Sequence, residues 1–138
     1  MPLPELGQRS AYWFDKELEL RDYAAAAESA TVSETGVELA VRHLDVAKVV
    51  IDHAAIGGTV DGSNFWAISV EVSDLVGGSY TEIATTRALG ATANQIELPI
   101  SGLFAEYKDA DAAFIRVTAT ETGTTAGNLT YGAYVTPC

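Results

Sequence analysis

Cysteine is nearly absent from this chain of 138 residues, whose only thiol belongs to the last residue, Cys138. One cysteine cannot close an internal disulfide and cannot supply the several thiolates of a typical structural zinc site. We therefore expect neither a disulfide scaffold nor a bound metal or other cofactor. Cys138 is interpreted as a free thiol at the terminus.

Positive charge is also scarce, since 8 Lys and Arg residues stand against 19 Asp and Glu residues and give a net charge of −11. Contact with phosphates or with an anionic membrane needs a basic face, so this balance argues against nucleic-acid and membrane partners. The most apolar stretch, residues 46–56, is too short to span a bilayer. Residues 1–5 lack the basic region of a signal peptide, so we expect a soluble protein that folds in a reducing cytoplasm.

What the chain does contain is alternation between apolar and polar residues, in short segments separated by turn residues from Gly36 onward. This pattern is typical of a β-sandwich or barrel, and the length suits one domain. In the clearest segment, Ile68, Val70 and Val72 should face the core. The alternate residues Ala67, Ser69, Glu71 and Ser73 should face solvent. Pro99 should place its strand at a sheet edge or its end. Strands are predicted at residues 17–21, 48–53, 65–73, 80–85, 95–100, 114–120 and 129–135.

The first 16 residues differ from the rest because they contain two prolines and no regular period. Their apolar side chains need to be covered by something. We predict an extended N-terminal arm over residues 1–16 and a β-sandwich domain over residues 17–138. Residues 24–27 are all alanine and favour a helix by propensity, but one such turn is too short to persist alone. The candidate contact residues of the arm are Leu3, Leu6, Tyr12, Trp13 and Phe14.

The residues that could support catalysis are few. A serine nucleophile needs a base within hydrogen-bond reach and usually a strained elbow, and Ser101-Gly102 lacks the preceding glycine of such an elbow. The available bases are His43, interpreted as a solvated loop residue, and His53, interpreted as a packed or surface residue. Residues 61–64, Asp-Gly-Ser-Asn, lack the ligand pattern of a calcium loop and predict a tight turn. We predict that the protein is not an enzyme.

An aromatic residue offers a second route to function. Trp66 begins the clearest strand beside Phe65, and one of the two side chains must point away from the core. A core or interface position is favoured for Trp66, and a platform on which a sugar stacks is the alternative.

Several strand and turn segments of the sequence resemble those of a known group of proteins. They include Asp61-Gly62-Ser63, then residues 66–74 and 77–84, and later residues 114–120 before Thr122-Gly123-Thr124-Thr125. Across residues 36–136 the chain resembles the small jelly-roll structural proteins of tailed bacteriophages, including capsid decoration (cement) proteins. It is also similar to discoidin-like, galactose-binding jelly rolls. The hairpin at residues 73–78 is longer and more apolar here than in the phage group.

The resemblance implies an all-β, jelly-roll-like β-sandwich and a structural role on the capsid surface of the virion. The virion would be assembled in the host cytoplasm. A decoration protein would bind the outside of the capsid and bridge subunits of the major capsid protein. Proteins of this kind often form homotrimers, so a trimer is favoured over other homo-oligomers. The alternative is a carbohydrate-binding jelly-roll module on a phage head or tail, and jelly rolls serve both roles.

Overall fold

The computed structural model describes residues 18–38, 47–101 and 112–137 of the chain, and these residues form two antiparallel β-sheets packed face to face. No helix in the described ranges is long and apolar enough to cross a membrane. The strands are β1 (Glu19–Arg21), β2 (Val32–Ser33), β3 (Val37–Glu38), β4 (Ala47–His53), β5 (Phe65–Ser73), β6 (Thr81–Thr85), β7 (Asn94–Ile100), β8 (Phe114–Thr122) and β9 (Tyr131–Pro137).

The two sheets interleave strands from both halves of the chain. One has the order β1-β9-β4-β7, and the other has the order β2-β8-β5-β6 with β3 also paired to β8. The early strands therefore pair with the late ones in reverse order: β1 with β9, β2 and β3 with β8, β4 with β7, and β5 with β6. Most of the pairing links residues far apart in sequence.

The core lies between the sheets and is formed by the inward-facing residues of the four central strands. Each of these side chains is almost fully shielded, and burying one aliphatic side chain of this size stabilises the fold by about 1.5–3 kcal/mol. Trp66 and Leu129 close the core near the starts of β5 and β9. The central inward set is Val49 and Ile51 on β4, Ile68, Val70 and Val72 on β5, Ile115 and Val117 on β8, and Tyr131, Ala133 and Val135 on β9.

The structure confirms the predicted β-sandwich and the longer strands. Pro99 does lie on an edge strand, because β7 pairs with β4 alone. Alternation did not reveal β2 and β3, which have two residues each and are too short for a period to show. The alanines at 24–27 form a turn region in which Asp22 accepts the backbone N–H groups of Ala24 and Ala25. The arm, residues 1–16, lies outside the described residues.

One burial prediction needs correction. Ser69 and Ser73 were expected to face solvent, yet they are 8% and 0% exposed. Strand β5 is central in its sheet, with β8 on one side and β6 on the other, so small side chains on its outer face lie below their larger neighbours. The Ser73 hydroxyl also accepts the backbone N–H of Leu75 and is covered by the loop that follows.

Strand direction divides the sandwich into two ends. Strands β4, β6 and β8 finish at one end, where the connections 54–64, 86–93 and 123–130 lie; we call this the bonded end. These connections hydrogen-bond to one another through Ile56 N–H to Ala91 O, Gly127 N–H to Gly57 O, and Asn64 Oδ1 to two backbone N–H groups. Strand β5 finishes at the opposite end, called the Leu75 end after the exposed loop at residues 74–80.

A pair of neighbouring glycines tests the close packing of the bonded end. Gly58 has a φ of +70°, and a Cβ there would lie 2.3 Å from Thr125 O, whereas a Cβ on Gly57 would meet nothing within 4 Å. We expect Gly58→Ala to lower the free energy of unfolding by about 2 kcal/mol or more, and Gly57→Ala to change it by less than about 1 kcal/mol. Urea denaturation of both variants measures the difference; equal effects would contradict the packing described.

Candidate functional site

The most elaborate polar cluster of the described residues is built around Arg21 at the end of β1, and it comprises Arg21, Glu28, Glu34 and Tyr131. Arg21 is 5% exposed. Its Nη1 donates to Tyr131 O, and its Nη2 donates to Ala26 O at 2.6 Å and to Glu28 Oε2 at 3.2 Å. Its Nε lies 3.4 Å from Glu34 Oε2, which makes a second ion pair.

The Tyr131 ring packs against the guanidinium of this Arg21 cluster. The guanidinium carbon lies 4.4 Å from the centroid of the Tyr131 ring, which is a cation–π distance. The Tyr131 hydroxyl is buried without a hydrogen-bond partner among the described residues, and burial raises the pKa of this phenol. One cation thus joins β1, β9 and the segment that leads from residue 26 to residue 34.

The pKa of Glu34 is raised above its ordinary value. Partial burial is the main cause, and a hydrogen bond with the Glu28 carboxyl group adds to it. The nearby Arg21 cation acts in the opposite direction and does not cancel these effects. Two carboxyl groups therefore share one guanidinium. The arrangement is well suited to fastening the start of the sandwich, and we assign it a structural role.

A second polar cluster, more exposed than the first, lies on the outer face of the other sheet. Arg116 Nε donates to Glu71 Oε1 at 2.8 Å, and the Thr118 hydroxyl donates to the same oxygen at 2.8 Å. The Arg116 guanidinium carbon lies 3.8 Å from the centroid of the Tyr80 ring. Tyr80 in turn donates its hydroxyl to Val76 O at 2.8 Å. This chain of contacts connects the sheet to the Leu75 loop.

The Leu75 loop, residues 74–80, carries two of the three large apolar side chains that are exposed in the described ranges. Leu75 is 63% exposed and Val76 is 48% exposed. Internal hydrogen bonds define the loop: Gly78 N–H to Leu75 O, and Leu75 N–H to the Ser73 hydroxyl. Together with the Tyr80 bond they present two aliphatic groups on an ordered backbone.

A cavity of about 410 Å³ lies near the bonded end, between β7 and the segment that ends β6 and follows it. His53 forms part of its wall and is 3% exposed. The Nδ1 atom of His53 lies 2.8 Å from Ala54 O, so Nδ1 carries the donated proton and Nε2 is the acceptor in the neutral ring. The lining of this His53 cavity consists of His53, Thr85, Thr86, Arg87, Ala88, Leu89, Gly90, Asn94, Ile96 and Leu98.

The structure places the predicted site residues unevenly. Trp66 is 0% exposed and its Nε1 donates to Gly127 O at 2.8 Å, so it occupies the core position and offers no ring to a sugar. Residues 61–64 form the predicted tight turn, in which Asp61 accepts from Ser63 N–H and from the Asn64 amide. These two bonds, the Asn64 bond most of all, lower the pKa of Asp61.

The predicted contact residues Leu3, Leu6, Tyr12, Trp13 and Phe14, and also His43, lie outside the described residues.

Sequence reasoning missed the Arg21 cluster and the cavity. Arg21 follows Leu20 in an alternating segment and reads as a solvent-facing residue; Ala26, Glu28 and Glu34 follow it closely in a segment without a regular period, and Tyr131 is distant in sequence. His53 was interpreted as packed or on the surface, and only the pairing of β4 with β7 places it beside Asn94. No protein-family model matches this chain, and no similar protein was found among curated proteins.

Replacing Arg21 should show how much the fold depends on its cluster. We expect Arg21→Met to lower the free energy of unfolding by about 3 kcal/mol, because Glu28 and Glu34 would keep their charges without a counterion. The matched variant Arg116→Met breaks a more exposed ion pair and should cost about 1 kcal/mol. Urea denaturation measures both. A smaller loss for Arg21→Met than for Arg116→Met would contradict the structural role.

The raised pKa of Glu34 makes a prediction about pH. A carboxyl group whose pKa is higher in the folded protein than in the unfolded chain binds its proton more tightly when folded. The stability gained from that proton is complete at acidic pH and is lost as the pH rises through the folded pKa. Relative to Glu34→Gln, the wild-type protein should therefore lose stability as the pH rises above the ordinary pKa of a glutamate, 4.5. Glu38→Gln, at an exposed position on β3, is the control and should follow the wild type; parallel curves for all three would contradict the assignment.

Proposed function

We propose that this protein is a non-catalytic structural protein of a tailed bacteriophage that decorates the outer surface of the capsid and bridges subunits of the major capsid protein. The observation that carries the proposal is the exposed apolar pair at the Leu75 end, Leu75 and Val76, held on an ordered loop. The resemblance of residues 36–136 to phage jelly-roll proteins supplies the class of partner.

The direction of β1 supports a contact surface at the Leu75 end. Strand β1 runs antiparallel to β9, and β9 finishes at the Leu75 end, so β1 runs away from that end. Residue 18 is accordingly followed by a chain that moves toward the bonded end. We propose that the arm, with Leu3, Leu6, Tyr12, Trp13 and Phe14, joins the Leu75 loop in one adhesive surface. The acidic remainder of the molecule keeps the free protein soluble.

The strand pairing supports a jelly roll as the fold of this decoration protein. Pairing of early with late strands in reverse order is what results when one long antiparallel hairpin is rolled into two sheets. With β2 and β3 counted as one interrupted strand, the eight resulting strands fit the eight of a jelly roll. We infer this topology for the protein.

The mechanism that follows is mechanical. A protein that binds the assembled lattice and not its separated subunits stabilises the lattice by mass action. Many copies on a symmetric shell multiply a modest contact, and a homotrimer would place three adhesive ends around one symmetry axis. In this proposal the protein acts in the virion after assembly in the host cytoplasm.

The proposal is tested by co-sedimentation of the full chain with expanded phage capsids that lack a decoration protein. The double variant Leu75→Asp/Val76→Asp should bind at least about tenfold more weakly, because it removes the apolar contribution of two side chains and buries charge. A chain without residues 1–16 should stay folded and lose binding. Both variants are exposed or terminal changes, and circular dichroism checks that the sandwich remains.

The matched control is Tyr23→Asp. Tyr23 is 48% exposed, as Val76 is, but it follows β1 and lies toward the bonded end. It should bind capsids as the wild type does. Undiminished binding of the Leu75→Asp/Val76→Asp variant would overturn the assignment of the surface, and absence of binding by the wild-type chain would overturn the proposed function.

A further inference from the structure

We infer that the His53 cavity is a binding site for a small organic acid, whose carboxylate is held by Arg87 and whose apolar part packs against Ile96 and Leu98. This inference does not depend on the capsid proposal. The cavity lies near the bonded end, and the proposed adhesive surface lies at the opposite one.

The charge of the lining indicates an anionic ligand. The chain has 19 acidic residues and 8 basic ones, yet none of the ten lining residues within the described ranges is acidic and one is Arg87. The described ranges contain Arg21, Lys48, Arg87 and Arg116, and all of these except Arg87 form an ion pair with a described glutamate. Among the described residues, Arg87 therefore has no carboxylate partner, and the cavity wall that they form carries no carboxylate. A guanidinium binds a carboxylate through paired, charge-assisted hydrogen bonds.

The remaining polar groups of the cavity sort into those already used and those still available. The Thr86 hydroxyl accepts the Ile68 backbone N–H at 3.0 Å, and the Thr85 hydroxyl lies within bonding distance of Ile68 O at 3.4 Å. Asn94 Oδ1 accepts from Gln95 N–H, which leaves the Asn94 amide N–H groups to donate. Among the described residues, His53 has a partner for Nδ1 and none for Nε2. A donor, an acceptor and a cation therefore remain for a ligand.

The apolar part of the wall sets the size and character of the ligand. Ile96 and Leu98 are half-buried on β7 and present apolar surface to the cavity, while Leu89, at 2% exposed, belongs to the core beneath it. Small-molecule sites typically have volumes of about 300–1,000 Å³, and the His53 cavity of about 410 Å³ falls at the small end of this range. Its described wall is divided between polar and apolar residues, which suits a small ligand with both a charged and an apolar part. The ligands that fit share one carboxylate group and a small remainder of the molecule. Sugar acids and short aliphatic acids both have this form.

The test titrates the full-length protein with two acids and their uncharged amides: glucuronate with glucuronamide, and hexanoate with hexanamide. Calorimetry measures affinity, and ¹⁵N–¹H NMR spectra locate the perturbed amides. We expect at least one acid to bind, to perturb amides of residues 85–98, and to bind about tenfold or more tightly than its amide. Binding of glucuronate alone would identify a sugar acid as the source of the carboxylate, and binding of hexanoate alone an aliphatic acid.

Two variants of equal charge change complete the test. Arg87→Gln should weaken binding of the acid by about tenfold or more, since it removes the charge-assisted hydrogen bonds. Lys48→Gln removes a cation from β4 away from the cavity and should leave the affinity unchanged. Arg87 is exposed, so its replacement should not disturb folding. The inference is overturned if neither acid binds, if acid and amide bind equally, or if Arg87→Gln binds as tightly as the wild type.

Discussion

The pairing of β5 with β8 is the interaction on which the rest of this structure depends. It runs without interruption from Phe65 opposite Thr122 to Ser73 opposite Phe114. Because side chains alternate along a strand, a shift of one residue in this register would turn Ile68, Val70 and Val72 out of the core. The same register brings Glu71 beside Arg116 and so builds the contacts that lead through Tyr80 to the Leu75 loop. Core, surface cluster and loop therefore share one alignment.

The sequence allowed the sandwich and its longer strands to be predicted because alternation is a local property that a few consecutive residues display. The edge position of Pro99 was predictable for the same reason, since a proline lacks the N–H that a central strand must donate. The candidate sites were not predictable, because the turns and strand pairings that bring their members together leave no local period in the sequence. Arg21 meets the carbonyl of Tyr131, and His53 meets Asn94, through strands that no local pattern aligns. Strands β2 and β3 were missed because two residues show no period.

The two ends of the molecule suit different tasks. At the bonded end, Asn64 Oδ1 and the backbone of residues 57–59 tie separate connections together, and a cavity is lined beside them. Connections held in this way favour a preformed cavity over one that forms only on binding. At the Leu75 end, aliphatic side chains stand out from the surface, which suits contact with a much larger partner. The small-molecule site and the adhesive surface that we propose therefore lie at opposite ends and would not compete for space.

The short β1 strand also determines how the molecule would respond to tension. If the arm binds the capsid as proposed, a pull on it reaches the sandwich at residue 18, and the component of that pull along β1 acts on the β1–β9 pairing. Antiparallel hydrogen bonds lie perpendicular to their strands, so such a force loads the β1–β9 bonds together in shear and does not open them one after another. The guanidinium of Arg21, bonded to Tyr131 O and Ala26 O, shares the same load. Its ion pairs with Glu28 and Glu34 would therefore also resist separation of β1 from the sandwich.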